Sequence, residues 1–316
     1  MRMFNLLTKS LLVVLTALAV TDAIAAQRQS SPKAGVRVSA LRPIIIITEP
    51  KAVVWVDELR RGTTDENGRL NLEKIAPGQH QLRVRALGFA EKRQTLLRSM
   101  RGEIRIKLVR TTNAAELAFQ QAELLRENGA AADKPKAIEL YRQALTARPG
   151  FLAAHIGLAR LLENSDPDEA LVEIAATRNI RPTLSEASTV EGRVYRALED
   201  TDNAIKSFRR AIREARGAFV PEAHTGLALA YKDSNNLAAA VPEFKLAIAQ
   251  LADTEPVVYQ LLAETYEQMQ RNTEAIAAYQ KFLELAPNNK QAPAVRSIIE
   301  QLKQKEKSDE LELLPQ

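Results

Sequence analysis

The sequence predicts two folded parts of different class, a small antiparallel β-sandwich followed by an all-α solenoid. Between residues 43 and 110, apolar residues alternate with polar ones, which is the period of a half-buried strand. From residue 112 onward, small and apolar residues follow the three-and-four spacing of a helix, and this pattern recurs about every 34 residues. The chain is therefore expected to be multidomain, all-β and then all-α.

The helical part holds one register five times. Each unit has a small residue near the start of its second helix, and these residues are 33, 34, 36 and 35 positions apart. A large apolar or aromatic residue follows four places later in each unit. Small residues let helices cross closely, and large ones fill the space beside the crossing. The pairs are Ala137 and Tyr141, Ala170 and Ile174, Ala204 and Phe208, Ala240 and Phe244, and Ala275 and Tyr279.

The clearest unit, residues 256 to 287, reads PVVYQLLAETYEQMQRNTEAIAAYQKFLELAP and resembles the tetratricopeptide repeat. The resemblance implies a solenoid of about five stacked helix pairs over residues 112–289. A solenoid needs its last apolar surface covered, so the amphipathic stretch 290–306 is predicted to be a capping helix. Residues 307–316 are predicted to form a tail.

The same resemblance predicts where a partner binds. In such arrays the first helices line a concave groove that suits an extended peptide or a partner helix. The lysine and asparagine that clamp a carboxylate in chaperone-binding relatives are missing from the matching positions. Carried over by register, the groove residues are Glu186, Thr189, Arg193, Arg196, Glu222, Thr225, Leu229, Lys232, Gln260, Glu264 and Glu267.

The segment 43–110 carries the strand signals. Ile104, Ile106 and Leu108 alternate with charged residues, and turn sequences such as Asn67-Gly68 separate the strands. The segment resembles a PEGA domain, a module close to the carboxypeptidase regulatory-like sandwiches. That resemblance implies attachment to a bacterial envelope protein and no catalytic residues. It rests on Pro50, Val54-Trp55-Val56-Asp57, Gly62-Thr63-Thr64, Ala76-Pro77-Gly78-Gln79-His80 and Gly88-Phe89.

The beginning of the sequence predicts export. Arg2 and Lys9 precede an apolar run over residues 11–20, and small residues follow at Ala23 and Ala25. This order is typical of a secretory signal peptide, residues 1–25, with a polar linker over residues 26–42. An uncleaved membrane anchor is the alternative, although ten apolar residues are short for a bilayer. We expect a periplasmic or extracellular protein without a further transmembrane segment.

Charge is shared unevenly. Residues 27–110 contain 18 Lys and Arg against 8 Asp and Glu, whereas residues 111–316 contain 24 against 30. The basic charges form a solvated face in one interpretation. In the other interpretation, the basic sandwich binds an anionic envelope surface or the acidic solenoid itself. Nucleic acid is not expected as a partner, because the basic strands lack interleaved stacking aromatics.

No residue pattern indicates catalysis, a cofactor or a metal. The chain has no cysteine, which excludes disulfides and thiolate sites. His80, His155 and His224 show no metal-ligand spacing, and a structural role is predicted for His80. Asp57 and Asp65 lie at predicted turns, where aspartate bonds nearby backbone.

The leading hypothesis is therefore a non-catalytic adaptor of the cell envelope that holds a protein partner in the solenoid groove, positioned by the basic sandwich. The alternative is a protein that binds a glycan or cell-wall polymer through the sandwich, with the repeats as a spacer. A sugar platform needs an exposed aromatic ring, and strand alternation leaves open whether Trp55, the sole tryptophan, points in or out.

Overall fold

The computed structural model describes residues 42–57, 59–75, 79–251 and 253–312. The predicted fold class is confirmed, since two small β-sheets precede a row of paired helices. The predicted signal peptide and nearly all of the linker lie outside the described residues. So do residues 76–78 of one predicted turn and residues 313–316 of the tail.

Seven strands in the described residues form two sheets. One sheet has the order β4-β1-β7 and the other β3-β2-β5-β6. Neighbouring strands run antiparallel except β1 and β7, which run parallel, a detail that the prediction of an antiparallel sandwich did not include. The strands are β1 (Arg42–Ile47), β2 (Val53–Val56), β3 (Leu59–Thr63), β4 (Arg69–Ile75), β5 (His80–Arg85), β6 (Lys92–Leu96) and β7 (Gly102–Arg105).

The apolar residues of the predicted alternation form part of the sandwich core. Ile104, Ile106 and Leu108 are buried while the charged residues between them are exposed. They join one hydrophobic cluster with residues from both sheets, such as Ile44 and Val54. Two sheets that each present one apolar face must bury those faces against each other, and this burial stabilises the sandwich.

The predicted Asn67-Gly68 turn is present before β4. Gly68 has a φ of 72°, and a Cβ there would lie 1.9 Å from the backbone oxygen of Thr48, so glycine is required. The Asp65 carboxylate accepts hydrogen bonds from the backbone nitrogens of Asn67 and Arg69. Asp65 therefore stabilises the turn, as the sequence predicts.

Eleven α-helices follow in the described part of the chain, five consecutive pairs and a final helix. Their bounds are α1 (Ala114–Asn128), α2 (Lys134–Ala147), α3 (Leu152–Leu162), α4 (Pro167–Ile180), α5 (Ser185–Ala197), α6 (Thr201–Glu214), α7 (Pro221–Asp233), α8 (Leu237–Leu251), α9 (Val257–Gln268), α10 (Asn272–Leu285) and α11 (Ala292–Glu312). Between α1 and α2 lies a short 3₁₀ turn, Ala131–Asp133.

Several helices begin at side chains that satisfy free backbone N–H groups. Asn113, Asp166 and Asp200 each accept a hydrogen bond from the backbone nitrogen three residues ahead. Pro167 and Pro221 occupy first helical positions, where a missing N–H costs nothing. Local sequence therefore fixes where the helices begin.

The small and large residues that recur in each unit lie where the helices pack against one another. All five small residues are fully buried alanines, and the large residue four places later is also buried in every unit. The Phe208 ring lies against Gly192 of α5 and Gly226 of α7, where any added Cβ would come within 3.0 Å of ring atoms. Glycine at these two positions lets three helices meet around one ring.

The last helix covers the end of the solenoid. Val295, Ile299 and Leu302 are buried in the cluster formed by the third to fifth helix pairs. At Ala292–Glu312 the helix is longer than the predicted segment 290–306.

Candidate functional site

A cavity of about 690 Å³ opens on the side of the solenoid that the first helices line. These helices contact one another in sequence, α3 with α5 and α5 with α7, so they form one continuous inner face. We call this cavity the groove. Its lining residues are Leu59, Glu163, Asn164, Arg193, Arg196, Ala197, Pro221, Glu222, Thr225, Gly226, Leu229, Leu251, Glu255, Val257 and Val258.

Five of the eleven residues predicted to face a partner line the groove: Arg193, Arg196, Glu222, Thr225 and Leu229. Glu186, Lys232, Gln260, Glu264 and Glu267 lie outside its lining. Thr189 is 4% exposed, and its hydroxyl donates to the backbone oxygen of Ser185 in its own helix. It therefore offers a partner no surface in this structure.

A ladder of ion pairs crosses the inner face from α3 to α7. Arg160 donates two hydrogen bonds to Glu222, at 2.9 and 3.1 Å. Arg193 donates to Glu222 at 2.7 Å and to Glu163 at 2.5 Å. Glu186 lies 3.6 Å from Arg160. The ladder joins the first helices of three repeat units and fixes the spacing of the groove wall.

The ladder also sets the charge of its central carboxylate. Desolvation by the surrounding protein raises the pKa of Glu222, but the charges of Arg160 and Arg193 and their hydrogen bonds outweigh it and lower that pKa to about 2. Glu222 is therefore ionised at neutral pH, and its negative charge faces the two positive guanidinium groups of Arg160 and Arg193.

A second set of polar contacts continues toward α9 and α10. Arg196 donates to Asp233 at 2.7 Å, and Lys232 lies 3.0 Å from Glu264. Gln260 also donates to Glu264, at 3.1 Å. Glu267 accepts a hydrogen bond from the hydroxyl of Tyr279. These predicted partner-facing residues are thus bonded to one another, to their own helix pair or, for Arg196, to the next helix pair.

Ten of the fifteen residues that line the groove were not predicted from the sequence, and neither was Arg160 of the ladder. Arg160 and Glu163 belong to the second unit, whereas the register was applied from the third unit onward. Extending that register by one unit, 34 positions back from Arg193 and Arg196, gives Ala159 and Leu162, so it would have missed Arg160 and Glu163 by one position. Leu59 belongs to the sandwich, so no repeat pattern pointed to it.

The sandwich is fastened to α1 by a buried polar network. Glu123 accepts hydrogen bonds from Arg85 at 3.0 Å and from Arg126 at 3.0 and 3.1 Å, and it is also bonded by the Tyr141 hydroxyl. Gln120 accepts from the backbone nitrogen of Gly88 and donates to the backbone oxygen of Phe89. Basic strand positions therefore meet acidic solenoid residues.

Trp55 lies beside this network. It is 6% exposed, with the guanidinium carbons of Arg83 and Arg85 at 4.0 and 5.0 Å from its ring centroid. Arg85 also lies 4.7 Å from the ring of Phe119 on α1. The tryptophan therefore points away from the sandwich core and is covered by arginines, so it presents no open ring to a sugar.

Each histidine is paired with one carboxylate inside its own part of the fold. His80 lies 2.6 Å from Asp57, His155 2.5 Å from Glu173, and His224 2.7 Å from Glu243. The hydrogen bond that His155 donates to the Glu173 carboxylate raises the pKa of His155 above its usual value, against an opposing effect of burial. Asp57 also accepts from the backbone nitrogen of Gln81 and so joins two strands.

No group of three or more His, Asp or Glu side chains among the described residues is arranged to hold a metal ion. None of the helices described combines the length and the apolar composition of a membrane span.

The stacked helix pairs define an α-solenoid, and its repeats match a known family. Residues 189–256 and residues 257–289 each match a family model described as tetratricopeptide repeat. The chain therefore contains tetratricopeptide repeats in its third to fifth helix pairs. No curated protein matches the sequence.

Solved structures share the fold of the solenoid. TTC0263, a thermophilic TPR protein of Thermus thermophilus, is 23% identical with a TM-score of 0.51, over 60% of this chain and 98% of that chain. PilW, titled a widely conserved type IV pilus biogenesis factor, is 14% identical with a TM-score of 0.52, over 62% and 93%. PilF of Pseudomonas aeruginosa is 16% identical with a TM-score of 0.50, over 61% and 90%.

Proposed function

We propose that this protein is a non-catalytic adaptor of the cell envelope that holds a segment of a partner protein in the groove. The tetratricopeptide repeats support a protein-interaction scaffold, because stacked helix pairs offer an extended inner surface. Export and an envelope location are the part of the proposal that depends on the leader-like residues 1–25 and on the PEGA-like sequence of the sandwich.

The observation that carries the proposal is the mixed lining of the groove. Leu229 and Val257 offer an apolar surface, with Val257 48% exposed at the start of α9, and the buried Leu251 and Val258 complete the apolar lining. Charged residues of the ladder border this surface. An apolar patch with a polar border is the usual anatomy of a protein-docking site.

The ion pairs indicate how a partner gains affinity. Arg193 and Arg196 are already bonded to Glu222, Glu163 and Asp233, so a partner must exchange those bonds to use them. Such exchanges contribute more to specificity than to affinity. The apolar surface supplies the affinity, and the charged border selects the partner.

The glycan-binding alternative is not favoured. It needs an exposed aromatic platform, and the sole tryptophan is covered by Arg83 and Arg85.

The proposal is tested with one matched pair of substitutions. Val257→Asp places a charge in the apolar lining, and it should lower recovery of the partner from extracts of the native cells about tenfold, because that charge loses water on binding. The control Val172→Asp adds the same charge on α4 at a position that is 65% exposed and outside the groove. Recovery is measured by quantitative mass spectrometry after affinity purification.

Both variants are expected to fold, because Val257 and Val172 are exposed side chains. Val257 is the first residue of α9, where a negative charge interacts favourably with the helix dipole. Equal recovery with Val257→Asp and Val172→Asp would place the docking surface elsewhere on the molecule.

A further inference from the structure

One side chain of the sandwich enters the groove of the solenoid. Leu59 is the first residue of β3, and it follows a turn in which Asp57 has a φ of 52°. We call Leu59 and Arg60 the hairpin tip. Among the described residues, Leu59 is the one residue of the sandwich that lines the groove.

Leu59 packs with the solenoid rather than with its own domain. It lies against the hydrophobic cluster of the third to fifth helix pairs, together with Leu229, and is absent from the residues packed on the sandwich core. Its exposed area is intermediate. Leu59 thus points away from the core of its own domain and packs, partly buried, against the other domain. It occupies the groove as the side chain of a bound ligand would.

Arg60 of the hairpin tip is held to the solenoid less firmly than the rest of the sandwich is. Arg85 and Gln120 fasten the sandwich to α1 through buried hydrogen bonds. Arg60, by contrast, is 53% exposed, and its guanidinium lies 3.6 Å from Glu127. An exposed pair at that distance adds little stability. The tip can therefore leave the groove while the sandwich stays in place.

The position of Leu59 bears on how a partner binds. The charged lining of the groove is largely paired within the protein, so affinity comes from the apolar lining around Leu229, Val257 and Val258. Leu59 already covers part of that lining. A partner that reaches the same surface has to take the place of this side chain.

We propose that the hairpin tip is a resident ligand of the groove, and that the partner segment binds by replacing Leu59 with a branched apolar side chain of its own. This inference rests on the proposed function, since it concerns the same groove. It identifies the partner as a segment with an exposed leucine, isoleucine or valine, and it makes partner binding depend on release of the hairpin tip.

The first test measures whether the tip is resident. The chain contains no cysteine, so a single introduced thiol reports one position in the full chain. Leu59→Cys should react with a maleimide at least about fivefold more slowly than Thr63→Cys, because reaction requires local opening. Thr63 is the matched control, an exposed residue at the other end of the same strand. Equal rates would overturn the inference.

The second test measures replacement, with a fluorescein-labelled peptide that copies residues 53–63 as the probe. The full chain with Leu59→Ser should bind this peptide about fivefold more tightly than the unaltered chain, since the internal competitor has lost its apolar contact. Leu59 is not part of the sandwich core, so the substitution leaves that core intact. Equal affinity, or no binding to either chain, would contradict replacement.

The outcomes separate this inference from the proposed function. Fast labelling of Leu59→Cys together with a loss of partner in Val257→Asp would reject the resident tip and keep the groove as the docking site. Slow labelling together with tighter peptide binding by Leu59→Ser, but no effect of Val257→Asp on partner recovery, would keep the replaceable tip and reject the groove as the natural docking site.

Discussion

Replacing Glu123 with alanine is expected to destabilise the contact between the sandwich and the solenoid by about 2–3 kcal/mol, because the change removes a buried carboxylate that bonds two arginines and a tyrosine hydroxyl. The carboxylate is 12% exposed and bonds Arg85, Arg126 and Tyr141. Arg85 keeps a second partner, Glu91 at 3.1 Å, whereas the Tyr141 hydroxyl loses its acceptor.

The pKa of Glu123 supports the size of this effect. Desolvation raises that pKa, but the nearby charges of Arg126 and Arg85 and the hydrogen bonds to the carboxylate lower it to about 2. A lowered pKa in the folded state stabilises the protein above the pKa of the unfolded glutamate, about 4.3, and this stabilisation is lost as the pH falls toward 2. The contact should therefore weaken in acid.

Trp55 provides the measurement. It is the sole tryptophan and stacks with Arg83 and Arg85 at the contact, so its fluorescence reports that region, while circular dichroism reports the helices. In urea, the Trp55 transition of Glu123→Ala should precede the helical transition. Glu139→Ala is the control, since its carboxylate is exposed and paired with Lys136 on the surface. Unchanged Trp55 transitions in both variants would disprove the role of Glu123.

Replacing Gly226 with alanine is the second large expected effect, a loss of about 2 kcal/mol in the free energy of unfolding. A Cβ at this position would lie 2.3 Å from a ring carbon of Phe208, which is fully buried. Alanine favours a helix over glycine by about 1 kcal/mol. The clash outweighs that gain, because Gly192 confines the same ring from the other side.

The test compares Gly226→Ala with Gly150→Ala in urea unfolding followed by circular dichroism. An added Cβ at Gly150 meets no atom within 4 Å, so the control should change stability by less than about 0.5 kcal/mol. Adding Phe208→Leu to Gly226→Ala replaces the ring with a smaller side chain, and the double variant should recover part of the lost free energy of unfolding. A Gly226→Ala variant more stable than the unaltered chain would show that the three helices are not packed around Phe208 as described.

The elements of the fold were predictable because their signals are local. The alternation at Ile104 and Ile106 fixes a buried strand face, and the spacing of Ala204 and Phe208 fixes a helix crossing. Both patterns depend on residues within one or two turns or strands. Each kind of element could therefore be assigned without knowing its distant neighbours.

The contact between the two domains was not predictable in this way. Arg85 alternates with apolar residues, and that pattern is equally typical of a solvated strand face, yet α1 buries it beside Glu123. Leu59 gave no signal at all, since its contacts are more than a hundred residues away in the chain. Charge imbalance left attraction between the domains as one of several interpretations, beside a solvated face and an envelope surface, and it did not show which side chains meet.

For a related reason, the sequence identified only some of the residues that line the groove. Thr189 and Arg193 lie four positions apart, on the same face of one helix. Register therefore does not distinguish the buried Thr189 from Arg193, which lines the groove. It also gives no information on whether Arg193 is free or bonded to Glu222. Sequence therefore identified the face, and the structure gave its internal bonds.

The central claim is that partners dock in the groove, and site-specific photo-crosslinking in the native cells tests it most directly. A photoreactive amino acid at Leu229, inside the groove, is compared with one at Leu246, an exposed residue of α8 outside the groove lining. We predict a discrete crosslinked protein from Leu229 and none from Leu246. The same product from both positions, or a product from Leu246 alone, would contradict docking in the groove.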